Sequence, residues 1–335
     1  MTNLTDTLFQ LRKGWHKASS YISGFGMYFM PRTFFRTPTE ADLASLQPEE
    51  REHVLQRAAY YNRLPEQGTR HYDMQGWPRI KDFRYPFGQK ERHSNYFLDL
   101  YRAACHFNPE YRMAYRFGDI THETEVPALV KSRPATEGPT NSVLLKLNQA
   151  RHYFLWKDTL GFRSKKDMLV SRNVVRQPWR RLLLEEYAGH PLCDIGQTNR
   201  DTNTDHPEWM KDYLTIPRQL EYKFIACIEG NDVATNLKWV MASNSLAVMP
   251  RPRYETWFME GRLIPDYHYV EIKEDYSDLP EKLGHYIRHP EQAESIIAHA
   301  HEHVRQFLNP KREKLISLLV MESYLRKTGQ THPTE

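Results

Sequence analysis

The sequence contains few of the features that mark secreted or membrane-spanning proteins. Only three cysteines occur among its 335 residues, and the wide spacing of Cys105, Cys193 and Cys227 matches no metal-binding motif. No apolar run approaches the roughly 20 residues that a membrane-spanning helix needs. The N-terminus also lacks the charged start, apolar stretch and small-residue cleavage site of a secretion signal. These absences predict reduced thiols and a cytoplasmic protein.

Several motifs of well-defined chemistry are missing as well. The chain contains no Walker loop, no Gly-x-Ser-x-Gly elbow and no glycine-rich dinucleotide fingerprint. It also contains no Asp-x-Asp, the motif that holds a divalent cation on a sugar diphosphate in one class of metal-dependent enzymes. His299 and His303 share one face of a predicted helix, but two histidines alone are a weak zinc signal and a solvated helix face is favoured. No metal site is predicted.

Charge and hydropathy describe a globular protein with a slight excess of basic residues. Lys and Arg number 46 against 42 Asp and Glu, the formal net charge is +4, and the mean hydropathy is −0.73. This excess suits a phosphate-bearing substrate or an anionic membrane surface, and it is too small to predict a nucleic-acid partner. Residues 1–37 interleave aromatic and basic side chains, a composition that can lie in a membrane interface or form a first helix docked on the core.

The stretch from Tyr222 to Pro250 predicts a strand, a turn, a helix and a second strand. Two short apolar runs, Phe224–Ile228 and Leu246–Met249, flank a polar break and a segment with helical spacing at Val233, Leu237, Val240 and Met241. About thirty residues is the size of a βαβ unit. Such a unit aims the N-terminus of its helix at the crevice beyond the strand ends, where phosphates bind. An ordinary βαβ unit without a ligand fits the same pattern.

An acidic residue follows another predicted strand. Met113–Phe117 is apolar enough for a short strand, and Gly118 and Asp119 end it. Reactive groups of α/β folds lie at the carboxyl ends of strands, although an aspartate here can equally form an Asx-turn or a helix cap. Glu123 and Glu125 are the rival carboxylates on the same loop.

Two arginines flank the end of a third predicted strand, Asp167–Asn173. Arg172 lies near its end, and Arg180 lies in an amphipathic helix that opens at Gln177 and Pro178. Both arginines can simply form surface ion pairs.

Taken together, these stretches resemble glycosyltransferase family 90, which includes bacterial lipopolysaccharide core transferases, animal protein O-glucosyltransferases and fungal capsule xylosyltransferases. The resemblance rests on the pattern Y-K-F-x-x-x-I-E-G…K-W…S-N-S-L-A-V over residues 222–248, and it extends from about Met113 to about Leu308. It implies an α/β protein of the GT-B type, with two Rossmann-like lobes facing each other across a cleft. The implied lobes are residues 1–159, on the acceptor side, and residues 160–310, which hold the nucleotide sugar. The last predicted helix, residues 311–328, would cross back to the first lobe.

The resemblance also implies roles for individual residues. Asp119 matches the catalytic base of the family. The residues expected to bind the donor are Arg172, Arg180, Gly230, Asn231, Asp232, Val233, Ala234, Asn236, Lys238 and Glu255, and those expected on the acceptor side are Lys131, Arg133 and Lys146. Two positions depart from the family pattern: Asn173 stands where glycine is usual, and Asn236 stands where eukaryotic members have a basic residue.

The reaction implied by the resemblance is a metal-independent, inverting transfer of a sugar, expected to be a hexose, from a nucleoside diphosphate, expected to be UDP, to a glycan hydroxyl. No cofactor is expected beyond this nucleotide-sugar co-substrate. The bacterial style of the match implies a lipid-linked lipopolysaccharide or lipooligosaccharide core acceptor and a peripheral position at the inner face of the inner membrane. Because Asn173 departs from the pattern, a catalytically silent glycan- or lipopolysaccharide-binding protein of the same fold is the alternative. A different Rossmann enzyme is disfavoured by the missing dinucleotide fingerprint.

Overall fold

The computed structural model of the protein describes residues 4–38, 40–66, 71–89 and 93–331. Positions 1–3, 39, 67–70 and 90–92 of the predicted first lobe therefore lie outside the described residues. The helices are α1 Leu4–Phe29, α2 Glu40–Ala44, α3 Pro48–Tyr61, α4 Ser94–Ala104, α5 Gln149–His152, α6 Pro178–Tyr187, α7 Ile216–Gln219, α8 Leu237–Met241, α9 Leu279–Arg288, α10 Pro290–Arg305 and α11 Pro310–Lys327. The strands are β1 Tyr115–Arg116, β2 Ala128–Val130, β3 Ser132–Pro134, β4 Ser142–Leu144, β5 Lys166–Asn173, β6 Cys193–Gln197, β7 Tyr222–Ala226, β8 Leu246–Met249, β9 Tyr254–Thr256 and β10 Val270–Glu271.

The chain forms two compact units. The first unit consists of Met1–His16, Arg151–Arg253 and Arg262–Gln306, and the second consists of Lys17–Ala150, Tyr254–Gly261 and Phe307–Glu335. Each unit contains a parallel sheet and helices. The predicted α/β class with parallel strands is therefore confirmed.

The sheet of the first unit has five parallel strands in the order β10-β8-β7-β5-β6. The chain starts at β5, moves outward to β6, and then returns past β5 to build β7, β8 and β10 on the other side. The connection after β5 therefore runs toward one edge of the sheet, to β6, and the connection after β7 runs toward the other edge, to β8. In open parallel sheets this reversal creates a crevice beyond the carboxyl ends of the two strands, and ligands bind there.

The core of the first unit explains why its strands could be predicted from the sequence. Leu169, Phe224 and Val248 on three neighbouring strands belong to one buried apolar cluster with helix residues, which are Leu183 of α6, Leu283 of α9 and Ile296 of α10. On the opposite face of the same strands Val170, Ile225 and Ala247 are buried as well. Strands covered on both faces are continuously apolar, and this is the pattern that predicted β7 and β8.

The predicted βαβ unit is present, but its helix begins later than the spacing indicated. β7 and β8 are parallel neighbours, with Phe224 opposite Leu246. The helix between them, α8, spans only Leu237–Met241. Val233 belongs to the preceding loop and is nevertheless buried, so burial of a loop produced the apolar spacing that predicted a longer helix. The backbone N–H groups that follow Gly230 therefore belong to a loop, and the predicted helix N-terminus at this point is wrong.

The second unit contains a three-stranded parallel sheet, β1-β2-β4, and an antiparallel pair, β3-β9. β1 is shorter than the strand predicted over Met113–Phe117. Helix α11 packs against α3, where Asn62 donates to Ser323. Tyr324, also on α11, donates its hydroxyl hydrogen to the carbonyl of Pro127, which immediately precedes β2. The last helix is thereby tied to the parallel sheet.

A buried charge cluster joins α11 to the rest of the second unit. Glu313 lies between Arg57 and Lys146, with Lys146 Nζ at 2.8 Å from its carboxylate. Trp257 donates its indole N–H to the same carboxylate at 2.7 Å. Burial disfavours the ionised form, but Lys146 and Arg57 outweigh that effect and hold the pKa of Glu313 below its usual value. The carboxylate therefore stabilises the fold in its charged form.

Replacement of Glu313 by glutamine is expected to lower the free energy of unfolding at pH 7 by about 3–5 kcal/mol, because it removes the counter-charge of two buried cations. A carboxyl group whose folded pKa is depressed contributes stability above its unfolded pKa of about 4.3 and loses it as the pH falls through the folded value. Urea unfolding at pH 7 and at pH 4 measures both effects, and the deficit of the variant is expected to shrink at the lower pH. Glu66→Gln, which removes an exposed partner of Arg326, is the matched control and is expected to cost at most about 1 kcal/mol.

Candidate functional site

Arg180 connects the two loops that border the crevice of the first unit. It lies in the first turn of α6, directly after Pro178 and Trp179. Its Nη1 donates to the carbonyl of Val174 at 2.9 Å, in the loop that follows β5. Its Nη2 and Nε donate to the carbonyls of Ile228 and Glu229 at 2.8 and 3.0 Å, in the loop that follows β7. The guanidinium therefore lies where the strand order reverses, at the position where open parallel sheets bind ligands.

The charge of Arg180 is not balanced by an acid in the described part of the chain. Its three acceptors are backbone carbonyls, and the ion pairs between described residues do not include it. Burial lowers the pKa of Arg180 to about 10, with a smaller upward effect of Tyr276 and a downward effect of Arg151. The side chain remains a cation at neutral pH, and three bonds occupy three of its five N–H donors. Such a cation suits an anionic ligand with oxygen acceptors.

Gly230 leaves room for this guanidinium. A Cβ atom at Gly230 would lie 3.2 Å from Arg180 Nη2, a distance at which the neighbouring group has to move. Asn231, the next residue, accepts a hydrogen bond from Gln177 at 2.9 Å, so the loop after β7 is joined to the start of α6 by a second contact. The structure thus brings together the predicted donor-binding residues Arg180, Gly230 and Asn231.

The remaining predicted residues of this stretch are less accessible. The amide of Asn236 donates to the carbonyl of Ala226 at 2.9 Å and satisfies the backbone at the end of β7. The other four are buried, and these are Asp232, Val233, Ala234 and Lys238. Their role in donor binding stays a prediction.

Trp179 and Arg253 also border the crevice, although neither was predicted as a site residue. Trp179 donates its indole N–H to the carbonyl of Glu229 at 2.8 Å. Arg253 pairs with the carboxylate of Glu229 at 2.9 Å, and its guanidinium lies 4.4 Å from the centre of the Trp179 ring. The Trp-Arg pair after Pro178 and the Arg-Pro-Arg run after Pro250 were the available signals.

Arg172 has different partners. It lies in β5 and pairs with Asp194 of β6 at 2.8 Å, and its Nε donates to the carbonyl of Asp212 at 3.2 Å. Burial of Asp194 favours its neutral form, but hydrogen bonds from Lys211, Tyr222 and Arg172 outweigh this and hold the pKa of Asp194 far below its usual value. The charge of Arg172 is therefore already balanced, in contrast to that of Arg180.

A cavity of about 980 Å³ lies at the carboxyl ends of β5 and β6. Its lining is mixed polar and apolar and consists of Arg172, Gln197, Thr198, Arg200, Thr202, Asn203, Thr204, Pro207, Met210, Lys211, Asp212, Tyr213 and Leu214. Thr202 Oγ1 and Asn203 Nδ2 both donate to the carbonyl of Val175, so one wall of the cavity is fixed to the loop that also contacts Arg180.

Asn173, where the family pattern has glycine, is the last residue of β5. Its backbone is extended and not left-handed, since it is not among the residues with positive φ. Its carbonyl accepts a hydrogen bond from Thr198 N at 2.9 Å, and its side chain donates to Ser171 at 2.7 Å. The local backbone therefore does not require glycine at this position.

In the second unit, Asp119 follows the short strand β1. Gly118, just before it, has a φ of +108°, a conformation that favours glycine and turns the chain at the strand end. Lys131 Nζ donates to Asp119 Oδ1 at 2.5 Å. Ser132 exchanges two hydrogen bonds of 3.1 Å with the backbone of Ile120, which holds the loop against β3. The Asp119 side chain is 29% exposed, whereas that of Lys131 is 3% exposed, so the carboxylate is accessible and its partner is not.

The rival carboxylates lie on the same loop. Glu123 accepts a hydrogen bond from the backbone N–H of Asn141 at 2.9 Å. The carbonyl of Glu125 accepts one from the Asn141 side chain at 3.0 Å. Both residues are exposed, and Glu123 has a local structural role before β4.

Glu255 and the predicted acceptor-side cations belong to the interior of the second unit. Arg133 and Glu255 face each other across the β3-β9 pair, with Arg133 Nε at 2.8 Å from the carboxylate. Arg63 and Tyr60 contact the same carboxylate. The side chains of Arg133 and Glu255 are each 1% exposed. Lys146 pairs with Glu313, as described above. These contacts account for the charges of Arg133, Lys146 and Glu255 within the unit, and their ligand-binding roles stay predictions.

No group of three His, Cys, Asp or Glu side chains in the described ranges is arranged to hold a metal ion. Among the helices that the structure describes, none is both long and apolar enough to cross a bilayer.

A parallel sheet with a cationic crevice at the reversal of its strand order is typical of α/β proteins that bind a ligand at this edge of the sheet. The family model described as Glycosyl transferase family 90 matches residues 147–327, more than half of the chain. The O-glucosyltransferase LpsA of Dichelobacter nodosus is 39% identical over 313 residues, which cover 92% of this chain and 95% of that protein. The chain belongs to glycosyltransferase family 90 and is a glycosyltransferase.

Proposed function

We propose that this glycosyltransferase transfers glucose from a UDP donor to a hydroxyl of a lipopolysaccharide or lipooligosaccharide core glycan, with inversion at the anomeric carbon. The proposal includes a GT-B arrangement in which the first unit holds the nucleotide sugar and the second supplies the base. The observation that carries the donor half is Arg180, an unbalanced cation at the switch point of a parallel sheet. The choice of glucose rests on the similarity to an O-glucosyltransferase.

The donor half of the reaction requires stabilisation of the departing diphosphate. When the bond between the anomeric carbon and the diphosphate oxygen breaks, the bonding electron pair leaves with that oxygen. In our proposal the two remaining N–H donors of Arg180 and the backbone N–H groups after Gly230 bind the resulting charge. Charge-assisted bonds of this kind are shorter and stronger than neutral ones. Because these N–H groups lie in a loop, our proposal includes no contribution of a helix dipole to diphosphate binding.

The acceptor half requires a base. In our proposal the acceptor hydroxyl oxygen attacks the anomeric carbon from the side opposite the diphosphate, and its proton passes to Asp119. General-base catalysis of this kind typically accelerates a reaction by about 10²–10⁴-fold. Lys131 positions the carboxylate through the hydrogen bond to Oδ1. Lys131 is therefore a positioning residue in this scheme.

The silent binding protein suggested by Asn173 receives no support from the local structure, because extended backbone there does not need glycine. We further propose that the nucleotide sugar is the sole co-substrate, that no metal or other cofactor takes part, and that the acceptor is lipid-linked. A peripheral position at the cytoplasmic face of the inner membrane would follow from such an acceptor.

A thermal-shift screen tests the donor. A ligand that binds only the folded state raises the melting temperature, by an amount equivalent to about 2.7 kcal/mol at a concentration of one hundred times its Kd. UDP and UDP-glucose are expected to raise it more than GDP or CMP at equal concentration. Transfer of labelled glucose to a purified core oligosaccharide then tests the reaction. A larger shift with GDP or CMP would overturn the choice of UDP, and a shift without any turnover would favour a binding protein.

A further inference from the structure

The outward face of α1 is apolar, although the helix lies on the protein surface. Leu4, Leu8, Leu11 and Trp15 are 73%, 48%, 65% and 71% exposed. Their spacing of four, three and four residues places them on one side of the helix. We call these four residues the outer stripe. A contiguous exposed apolar surface of this kind marks an interaction site more often than a chance arrangement.

The opposite face of the same helical turns is fixed to the first unit. Phe9 is fully buried, and its ring contacts those of Phe154 and Trp156 with centres 5.8 and 5.5 Å apart. Asp6 accepts hydrogen bonds from Thr215 at 2.5 Å and from Arg218 at 3.2 Å. These contacts set the rotation of the helix about its axis. The outer stripe is therefore exposed because of specific packing on the inner side.

The charges on the rest of these helical turns are almost all of one sign, and Lys13 and Lys17 lie on the side of the helix away from the stripe. Arg12, Lys13 and Lys17 are exposed, and the single acidic residue between positions 4 and 29 is Asp6, which pairs with Arg218. Arg12 lies 4.9 Å from the centre of the Trp156 ring, and Lys13 lies 5.8 Å from that of Tyr213. The ring of Tyr213, itself 55% exposed, extends the aromatic surface next to Lys13.

We propose that the outer stripe docks the protein in the interface of an anionic lipid surface. Helices that lie in the headgroup region carry leucine and tryptophan on one face and lysine and arginine on the polar face, and the long stems of these cations reach toward the lipid phosphates. A second copy of the stripe is a poorer occupant, because it would leave the positive charge of the polar face without a partner, whereas an anionic lipid surface attracts it. The inference deepens the proposed function, since a lipid-linked acceptor would be met at this surface.

Co-sedimentation of the full-length protein with lipid vesicles tests the docking surface. Vesicles containing phosphatidylglycerol are compared with vesicles of phosphatidylcholine alone, each at low and high salt. The wild type is expected to bind the anionic vesicles, less so at high salt. The double variant Leu8→Ser/Leu11→Ser is expected to lose about tenfold or more in partition coefficient. Gln10→Ser, an exposed position on another side of the same helix, is the matched control and is expected to bind like the wild type.

A second variant separates the charge from the apolar contribution. Lys13→Gln/Lys17→Gln is expected to weaken binding to anionic vesicles by at least about tenfold and to leave binding to phosphatidylcholine unchanged. Absence of binding by the wild type, or equal binding by the leucine variant, would overturn the proposal. Vesicle-independent self-association that the leucine variant abolishes would replace it with a protein interface.

Donor turnover keeps this inference distinguishable from the proposed function. Transfer to a detergent-dispersed acceptor is expected to be the same in the leucine variant and the wild type. If the wild type binds anionic vesicles but transfers no sugar from any donor, the proposed function fails and the docking surface stands. If transfer proceeds normally and no vesicle binding occurs, the docking surface fails alone.

Discussion

Replacement of Asp119 by asparagine is expected to lower the turnover number for sugar transfer by about 10²–10⁴-fold, because the acceptor proton loses its base. The amide has the same shape, and its oxygen can still accept the hydrogen bond that Lys131 now donates to the carboxylate. The loop after β1 remains fixed by Ser132. The affinity for UDP is expected to stay unchanged. Initial rates at saturating donor and acceptor, together with calorimetric titration of UDP, measure both quantities.

Glu123→Gln is the matched control for this prediction. Glu123 is a carboxylate on the same loop, is exposed, and bonds to the backbone of Asn141. Its replacement is expected to change the turnover number by less than about threefold, since surface substitutions of this type usually have small effects. Loss of activity in Glu123→Gln with normal activity in Asp119→Asn would show that Glu123 is the base and that our assignment of Asp119 is wrong.

Replacement of Arg180 by methionine is expected to weaken UDP binding by about 10²-fold. Hydrogen bonds to charged groups contribute about 1.5–3 kcal/mol, and the structure leaves two guanidinium N–H donors for the diphosphate. The variant also loses the three bonds that join the loops after β5 and β7, so its melting temperature is expected to fall modestly. Arg180→Lys keeps the charge but loses the planar guanidinium, so its affinity for UDP is expected to lie between those of the wild type and Arg180→Met. Calorimetric Kd values for UDP give the comparison.

Arg176→Met provides the control for a nearby exposed arginine. Arg176 pairs with Asp201 at the surface, with both side chains more than half exposed, and its replacement is expected to leave the Kd for UDP within about twofold. Arg172→Met then separates the two predicted donor arginines. If Arg172→Met abolishes UDP binding and Arg180→Met does not, the diphosphate lies by the cavity at the ends of β5 and β6 and the crevice proposal is wrong.

The difference between Arg172 and Arg180 illustrates how surroundings determine what a residue can do. Both arginines lie near the carboxyl end of β5, and the sequence predicts the same donor-binding role for both. Arg172 lies beside Asp194, a carboxylate that Lys211 and Tyr222 also contact, so its charge is compensated. Arg180 contacts carbonyl oxygens, which orient a guanidinium without cancelling its charge. Only the second arrangement leaves a net positive charge at the crevice.

Elements with a strong local pattern could be predicted from the residues alone. β5 was expected over Asp167–Asn173 and spans Lys166–Asn173. The predicted helix that carries His299 and His303 is α10, and the last predicted helix, expected over residues 311–328, is α11, Pro310–Lys327. These elements bury apolar side chains whose regular spacing can be recognised in the sequence. The family could be recognised for a similar reason, since its motifs lie on these same strands and loops.

Features that depend on contacts between distant residues required the tertiary structure. The strand order that places the crevice between β5 and β7, and the pairing of Arg133 with Glu255 across β3 and β9, join segments far apart in the chain. α8 begins at Leu237 because the preceding apolar residues are buried as loop, an outcome that local spacing does not distinguish from helix. The sequence therefore specifies which residues are available for chemistry. Their charge state and accessibility are decided by the groups that folding brings beside them, because electrostatic and desolvation effects act over a few ångströms of space and not along the chain.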